Sequence, residues 1–281
     1  MWRAARARPN ADSRGDEVSI TVVSRELITD TARIIAIVNQ KGGVGKSTTA
    51  VNLGASLAIL GRRVLIVDID PQGNSTTGVG VDKRQVAYDI YSVLLDRVPV
   101  RDVACGTDIP GLSIVPATIN LAGAEIELVS ALQREGRLKT SLAAVERDYD
   151  YVLIDCPPSL GLLTINALTA ATEVIIPVQA EFYALEGLSQ LTAIVRRIKE
   201  ALNPDLMILG VLITMFDGRT KLATEVLDEV NRYFPDRVFT TQIPRNIRLS
   251  EAPSYGKPAV LFDVKSRGAQ AYMSLAKEVV K

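Results

Sequence analysis

The chain has 281 residues, with 32 basic and 32 acidic side chains, two cysteines and no histidine. The absence of histidine excludes Ser-His and Cys-His nucleophile pairs, histidine zinc ligands and an imidazole proton shuttle. Any chemistry must therefore use carboxylates, amines, hydroxyls, backbone amides or a cation held by oxygen ligands. The balanced charge predicts no global attraction to nucleic acid or to an anionic membrane.

The composition, 47% hydrophobic and 23% charged, is typical of a soluble globular protein. No segment approaches the roughly 20 uninterrupted apolar residues that a membrane span needs. Cys105 and Cys156 lie far apart, so we interpret them as reduced thiols of a cytosolic protein. Residues 1–32 combine arginines with acidic residues and lack an apolar signal region, which predicts a mostly disordered N-terminal extension.

From Arg33 onward, short β-branched segments alternate with longer helical patterns. This order predicts a single α/β domain, 33–281, whose mostly parallel twisted sheet is flanked by helices in three layers. Several predicted strands are apolar at nearly every position, so helices should cover both faces of the sheet. The predicted strands are 34–38, 64–68, 151–155, 173–178, 207–214 and 238–243, and the predicted helices are 46–60, 124–134, 138–147, 183–201, 222–233 and 268–280.

A glycine-rich segment, NQKGGVGKSTT at residues 39–49, follows the first predicted strand and opens a helix. Its glycines let backbone amides turn around an anion, and Lys46 can bridge the outer phosphates of a nucleotide. Ser47 is placed to ligate Mg²⁺. The strict pattern G-x-x-x-x-G-K-[ST] fails because Gln40 replaces its first glycine, and an additional lysine, Lys41, follows. The segment predicts a phosphate-binding loop of an unusual kind.

Carboxylates follow two of the apolar strands. Asp68 and Asp70 lie on the same side of the second strand, next to the phosphate loop if the two strands are neighbours. Without histidine, a carboxylate is the natural group to activate water, although both aspartates could simply solvate a strand end. Asp155 ends another apolar strand and can hold Mg²⁺ through a water molecule. We interpret the adjacent Cys156 as a buried, inert thiol.

The segment from Lys41 to Ser47 matches K-G-G-x-G-K-[ST], the signature of the deviant Walker A ATPases. Within that group, residues 33–281 resemble the partitioning ATPases ParA and Soj. The resemblance implies ATP and Mg²⁺ as cofactors and a homodimer in which Lys41 reaches the partner's phosphates. It also implies that Asp70 positions or activates the attacking water. The nucleotide would contact Lys41, Gly42, Gly43, Val44, Gly45, Lys46, Ser47 and Thr48.

Two later segments, 214–220 and 243–246, match the base-binding loops of this family. By resemblance Pro244 and Asn246 contact adenine, with Met215 nearby. Both segments follow predicted strands and would lie at the carboxyl edge of the sheet, where ligands bind in open α/β folds. The alternative is a pair of ordinary loops, one with a proline-containing turn.

Charge is distributed unevenly along the chain. Residues 1–195 carry 18 basic and 22 acidic side chains, whereas residues 196–281 carry 14 and 10, a net charge of +4. Arg219 and Arg248 match positions at which Soj-like proteins bind DNA through its phosphates. Scattered, solvated surface charges are the alternative. Dimerisation would double the basic surface, so neutral overall charge does not forbid DNA binding.

The resemblance therefore implies an ATP-hydrolysing DNA-segregation switch, cytoplasmic and nucleoid-associated. An ATP-dependent dimer would bind double-stranded DNA non-specifically, and a ParB-like partner would stimulate hydrolysis to release it. One alternative is a MinD-like positioning ATPase on the membrane, which the short C-terminal segment 269–281 supports poorly, and we expect no membrane partner. The other is an iron-sulfur carrier ATPase, which needs exposed cysteines at a dimer axis.

Overall fold

The computed structural model describes residues 31–181 and 184–281, and only the backbone of residues 184–186. Residues 1–30 of the predicted N-terminal extension lie outside the described residues. Tyr183, the predicted first residue of one helix, lies outside them as well.

The described residues form a seven-stranded sheet in the order β3-β4-β2-β5-β1-β6-β7. All neighbouring strands in it are parallel except the β3–β4 pair. Alternate residues of β1 enter two different hydrophobic clusters, with Ile34 in one and Ile35 in the other, so both faces of the sheet are covered. The predicted three-layer α/β fold is confirmed. The strands are β1 (Arg33–Ile37), β2 (Val64–Asp68), β3 (Cys105–Gly106), β4 (Leu112–Val115), β5 (Tyr151–Asp155), β6 (Glu173–Gln179) and β7 (Met207–Thr214).

Helices connect the strands and pack on both faces of the sheet. The first ends two residues before Gly61, whose φ of +82° stops it as the sequence predicts. A π-helical turn spans Ser92–Asp96 and a 3₁₀ turn spans Ala252–Tyr255. The α-helices are α1 (Lys46–Ile59), α2 (Asn74–Gly78), α3 (Val100–Val103), α4 (Leu121–Val129), α5 (Arg137–Leu142), α6 (Leu162–Ala170), α7 (Ala184–Ala201), α8 (Lys221–Tyr233), α9 (Ile247–Glu251), α10 (Ala259–Phe262) and α11 (Arg267–Val280).

The predicted strand at 238–243 is wrong. This segment runs beside β7 but pairs with it only at its two ends, through a bridge between Val238 and Val211 and a hydrogen bond from the Ile243 amide to the Ile213 carbonyl oxygen at 2.9 Å. The reason lies in α11: the Glu278 carboxylate accepts hydrogen bonds from the backbone amides of Thr240 and Thr241, at 2.7 and 3.1 Å. Amides bonded to a side chain are not available to a strand ladder.

Two predicted helices are shorter than expected. The segment predicted at 124–134 is helical over Leu121–Val129, and the segment predicted at 138–147 is helical over Arg137–Leu142. The short strands β3 and β4 and the helices α2, α3, α6, α9 and α10 were not among the predicted elements. None of the helices in the described part of the chain has both the length and the apolar character needed to span a membrane.

Candidate functional site

The phosphate loop joins β1 to α1 and has the backbone shape that anion binding requires. Gly43 and Gly45 have φ of +75° and +92°, a region that residues with side chains rarely adopt. The Thr214 hydroxyl donates to the carbonyl oxygen of Val44 at 2.8 Å, which ties the loop to the end of β7. The loop amides are therefore held at the start of α1, where the helix dipole also favours an anion.

Lys46 is the buried cation of this loop, with only 7% of the residue exposed. Its Nζ donates to the carbonyl oxygen of Lys41 at 3.1 Å, so the side chain folds back over the loop. Burial lowers the pKa of Lys46, while the negative charges of Asp155 and Asp70 act in the opposite direction. An ammonium group with so little solvation is well suited to bind an anion.

The strand order brings the carboxyl ends of three strands together. Because β5 lies between β1 and β2, the two strands are not direct neighbours as the sequence argument required. The register nevertheless places Asp155 beside both Ile37 and Asp68. The loop after β1 and the aspartates after β2 and β5 therefore share one sheet edge.

Asp155 is fully buried and fits an oxygen-ligated cation. Its Oδ2 accepts a hydrogen bond from the Ser75 hydroxyl at 2.7 Å. Within the described ranges its Oδ1 is buried without a hydrogen-bond partner. Burial raises the pKa of Asp155, the charge of Asp68 raises it further, and Ser47 lies near enough to lower it. An orphaned carboxylate oxygen near a serine hydroxyl fits the donors that Mg²⁺ prefers.

Asp68 and Asp70 have different surroundings. Asp70 lines the cleft in front of the phosphate loop, and its Oδ1 accepts a hydrogen bond from the Gln72 amide at 2.9 Å. Asp68 is fully buried, does not line the cleft, and has a pKa raised by that burial. Of the two, Asp70 is the carboxylate that can meet a ligand.

The cleft has a volume of about 740 Å³ and combines the phosphate loop with the two predicted base-binding loops. Met215, with φ of +50°, leads out of β7. The next residue, Phe216, bridges to Pro244. Asn246 caps α9 by accepting a hydrogen bond from the Arg248 amide at 3.0 Å. The predicted residues that line this cleft are Gly42, Gly43, Gly45, Lys46, Ser47, Thr48, Asp70, Met215, Pro244 and Asn246.

Two predicted nucleotide-binding residues do not line the cleft. The Nζ of Lys41 lies 2.6 Å from Oε2 of Glu181, just beyond the end of β6, in an ion pair that is about half exposed. Val44 is buried behind the loop. The structure therefore directs the Lys41 side chain away from the phosphate loop of its own chain.

The two predicted DNA-binding arginines lie outside the cleft, on the loop before α8 and in α9. The Arg219 side chain is 89% exposed and bonds to both carboxylate oxygens of Asp217, at 2.8 and 2.7 Å. The Arg248 side chain is 51% exposed and pairs with Glu251 at 2.9 Å and with Asp263 at 3.2 Å. Both guanidinium groups therefore have a carboxylate partner within the chain.

Several cleft residues could not be found from the sequence. The Tyr272 hydroxyl of α11 lies 3.0 Å from the Thr49 hydroxyl of α1. Asn52 accepts a hydrogen bond from the Ala259 amide at 2.7 Å. These partners are more than 200 residues apart in the chain, so no local pattern indicates them.

Asn166 does not line the cleft and is a structural residue, fully buried and bonded to the backbone of neighbouring segments.

A phosphate loop in which Gln40 replaces the first Walker glycine and a second lysine, Lys41, follows it, set at the edge of a parallel sheet, defines the deviant Walker A class of P-loop ATPases. Residues 32–208 match the family described as an AAA domain. The chain is 62% identical over 247 residues to the sporulation initiation inhibitor protein Soj of Bacillus subtilis (strain 168), covering 88% of this chain and 98% of that protein. The chain belongs to the ParA/Soj family of chromosome-partitioning ATPases.

A second relative agrees with this family, and a solved structure of a protein with another name shares the fold. The chain is 53% identical over 249 residues to the chromosome partitioning protein ParA of Myxococcus xanthus (strain DK1622), covering 89% of this chain and 88% of that protein. A solved structure of cobyrinic acid a,c-diamide synthase from Mycobacterium smegmatis, with bound ADP and magnesium, is 40% identical and superposes with a TM-score of 0.78. It covers 89% of this chain and 94% of that chain. This solved structure of a related protein therefore holds a nucleotide and magnesium.

Proposed function

We propose that this partitioning ATPase is an ATP-driven DNA-binding switch. ATP and Mg²⁺ stabilise a homodimer, the dimer binds double-stranded DNA without sequence preference, and a ParB-like partner stimulates hydrolysis to release it. The observation that carries the proposal is the convergence of Lys46, Asp70 and Asp155 at one sheet edge beside exposed arginines.

The residues of the site divide the work of phosphoryl transfer. The loop amides and Lys46 bind the phosphates, while Ser47 and Asp155 would hold Mg²⁺. Magnesium supplies charge neutralisation on the phosphate oxygens. The Asp70 carboxylate orients the attacking water by accepting a hydrogen bond from it, a role that needs no histidine.

Lys41 is proposed to act in the partner subunit. Within its own chain, the Lys41 ammonium group pairs with Glu181 rather than with the phosphate loop. This ion pair is partly exposed and therefore contributes little stability, so it can be exchanged for a phosphate of the partner's nucleotide.

We expect Lys41→Ala to bind ATP as a monomer and to fail to dimerise, because only the charge supplied across the dimer is lost. Analytical ultracentrifugation with ATP and Mg²⁺ measures this, and Lys139→Ala, a change at an exposed lysine of α5, is the control that should still dimerise. Dimerisation of the Lys41 variant with normal affinity would contradict the role across the interface.

DNA binding is proposed for the exposed surface around Arg219 and Arg248. Residues 196–281 carry a net charge of +4, and two subunits would present this charge side by side. The carboxylate partners of both arginines, Asp217 and Glu251, are partly exposed to solvent, so exchange for DNA phosphates costs little. Contacts of this kind release counterions and give salt-dependent, sequence-independent binding.

Charge reversal at both arginines, Arg219→Glu with Arg248→Glu, should eliminate DNA retention and leave ATP-dependent dimerisation intact. Each lost phosphate contact lowers the salt slope of binding by about 0.9. Fluorescence anisotropy with a duplex of random sequence measures the loss. The matched control is Arg196→Glu with Arg232→Glu, two exposed arginines of α7 and α8. Loss of dimerisation in the first variant would mean that these arginines are structural.

The whole proposal is tested by DNA binding of the pure protein with ATP, with ADP and without nucleotide, at two salt concentrations. Binding that requires ATP, weakens with salt and ignores sequence is the expected result. Addition of a ParB-like protein should then increase ATP turnover and release the DNA. Equal binding in all three nucleotide conditions would contradict the switch.

The structure favours this function over the two alternatives. A MinD-like membrane anchor needs an amphipathic helix with a free apolar face. In α11 the apolar residues Tyr272, Leu275 and Val279 are buried, and the helix packs on α1. An iron-sulfur carrier needs exposed cysteines at a dimer axis. Cys156 is fully buried, with its pKa raised well above the ordinary value by that burial, and Cys105 is half-buried in the edge strand β3, away from the phosphate loop.

A further inference from the structure

The turn that carries Asp70 is held at both ends by one buried carboxylate. The Oδ1 atom of Asp68 accepts a hydrogen bond from the Asp70 amide at 3.2 Å. Its Oδ2 atom accepts two more from Thr76 of α2, from the backbone amide and from the hydroxyl, each at 2.8 Å. The turn between them is closed by a bond from the Gly73 amide to the Asp70 carbonyl oxygen at 2.8 Å. The Asp70 turn is therefore attached to the end of β2 through residues that do not line the cleft.

Thr76 also attaches this turn to a neighbouring strand. Its hydroxyl, which donates to Asp68, accepts a hydrogen bond from the Ala117 amide at 2.9 Å, two residues beyond the end of β4. Gly73 packs closely on Ala117, because a Cβ at residue 73 would lie 2.6 Å from the Ala117 carbonyl oxygen. Thr76 is fully buried and does not line the cleft. Its hydroxyl thus has both a donor and an acceptor role, and neither involves the nucleotide.

We propose that Thr76 is a positioning residue for ATP hydrolysis. By bridging Asp68 and Ala117, its hydroxyl sets where the Asp70 carboxylate stands relative to the phosphate loop. This inference rests on the proposed role of Asp70. Because Thr76 lies behind the turn, its loss should impair the hydrolytic step while ATP binding at the phosphate loop is retained.

The test compares Thr76→Val with Thr76→Ser in the full chain. Valine has the same shape but leaves Asp68 with one donor fewer and the Ala117 amide without its acceptor, whereas serine keeps the hydroxyl. We expect Thr76→Val to lower kcat at least about tenfold with the KM for ATP nearly unchanged, since small displacements of a reacting group are costly. Thr76→Ser should restore kcat to within about threefold of the parent chain. The control is Thr169→Val, a buried threonine of α6 whose hydroxyl has no hydrogen-bond partner among the described residues.

The same valine change in an Asp70→Ala background separates this proposal from the role of Asp70. If Thr76 acts through Asp70, single-turnover rates of the double variant should equal those of Asp70→Ala alone. Additive losses, or a normal kcat in Thr76→Val, overturn the proposal. If Asp70→Ala itself turns over normally, the role of Asp70 has failed instead.

If Thr76→Val fails to fold, a second variant, Asp68→Asn, still tests the proposal. Asp68→Asn keeps the shape of the carboxylate and replaces one acceptor by an amide, so it should reproduce the kinetic pattern of Thr76→Val. Binding of a fluorescent ATP analogue reports whether each variant is folded. If both variants lose nucleotide binding, Thr76 and Asp68 are general structural residues, and the positioning role is overturned.

Discussion

Replacing Lys46 by alanine is expected to abolish ATP binding. The Lys46 ammonium group is buried and poorly solvated. In the described part of the chain, Lys46 is the only lysine of the phosphate loop whose side chain lines the cleft. Charge-assisted hydrogen bonds contribute roughly 1.5–3 kcal/mol each, and two of them to phosphate oxygens amount to at least about a hundredfold in Kd. Isothermal titration with ATP and Mg²⁺ measures the change.

Lys139→Ala is the matched control, because it removes an exposed lysine far from the loop in sequence and should leave the Kd unchanged. Circular dichroism without nucleotide should give the same spectrum for both variants. Normal ATP affinity in Lys46→Ala would refute the assignment of the phosphate loop.

Asp70→Ala is expected to bind ATP, dimerise and remain on DNA without turnover. Asp70 lines the cleft and is the carboxylate free to face an attacking water, whereas Asp68 is occupied by Thr76 and by the Asp70 amide. Removing the carboxylate that positions or activates the attacking water should lower kcat at least about a hundredfold. Phosphate release in the presence of DNA, together with DNA-bound protein after gel filtration, gives the two measurements.

The control for Asp70→Ala is Asp108→Ala, a change at an exposed aspartate between β3 and β4 that should leave turnover unaffected. An Asp70→Ala variant that hydrolyses ATP rapidly contradicts the proposed role. A variant that loses ATP binding altogether would indicate a structural contribution of Asp70 to the cleft.

The fold was predictable where local signals were strong. The strands that carry the site are continuous apolar runs ending in polar residues, and their predicted positions agree closely with β1, β2 and β5. The strand β3 has two residues and β4 has four, too few for a periodic pattern to stand out. The error at 238–243 has a tertiary cause, since Glu278 is remote in sequence from the amides that it binds.

The site was predictable to the extent that sheet geometry governs it. Carboxyl ends of parallel strands meet at one edge, so residues after separate strands could be expected to converge. The different surroundings of Asp68 and Asp70 could not be predicted, because they depend on which carboxylate Thr76 binds. The contribution of Tyr272 likewise depends on how α11 packs against α1.

The contact between Tyr272 and Thr49 joins two segments that are synthesised far apart in time. The phosphate loop is near the N-terminal end of the described chain, while Tyr272 and the loop at Pro244 form other walls of the same cleft. During synthesis, the loop leaves the ribosome more than 200 residues before Tyr272 does. A nascent chain therefore presents a phosphate loop without its complete pocket, and the cleft gains its last wall only when α11 docks on α1.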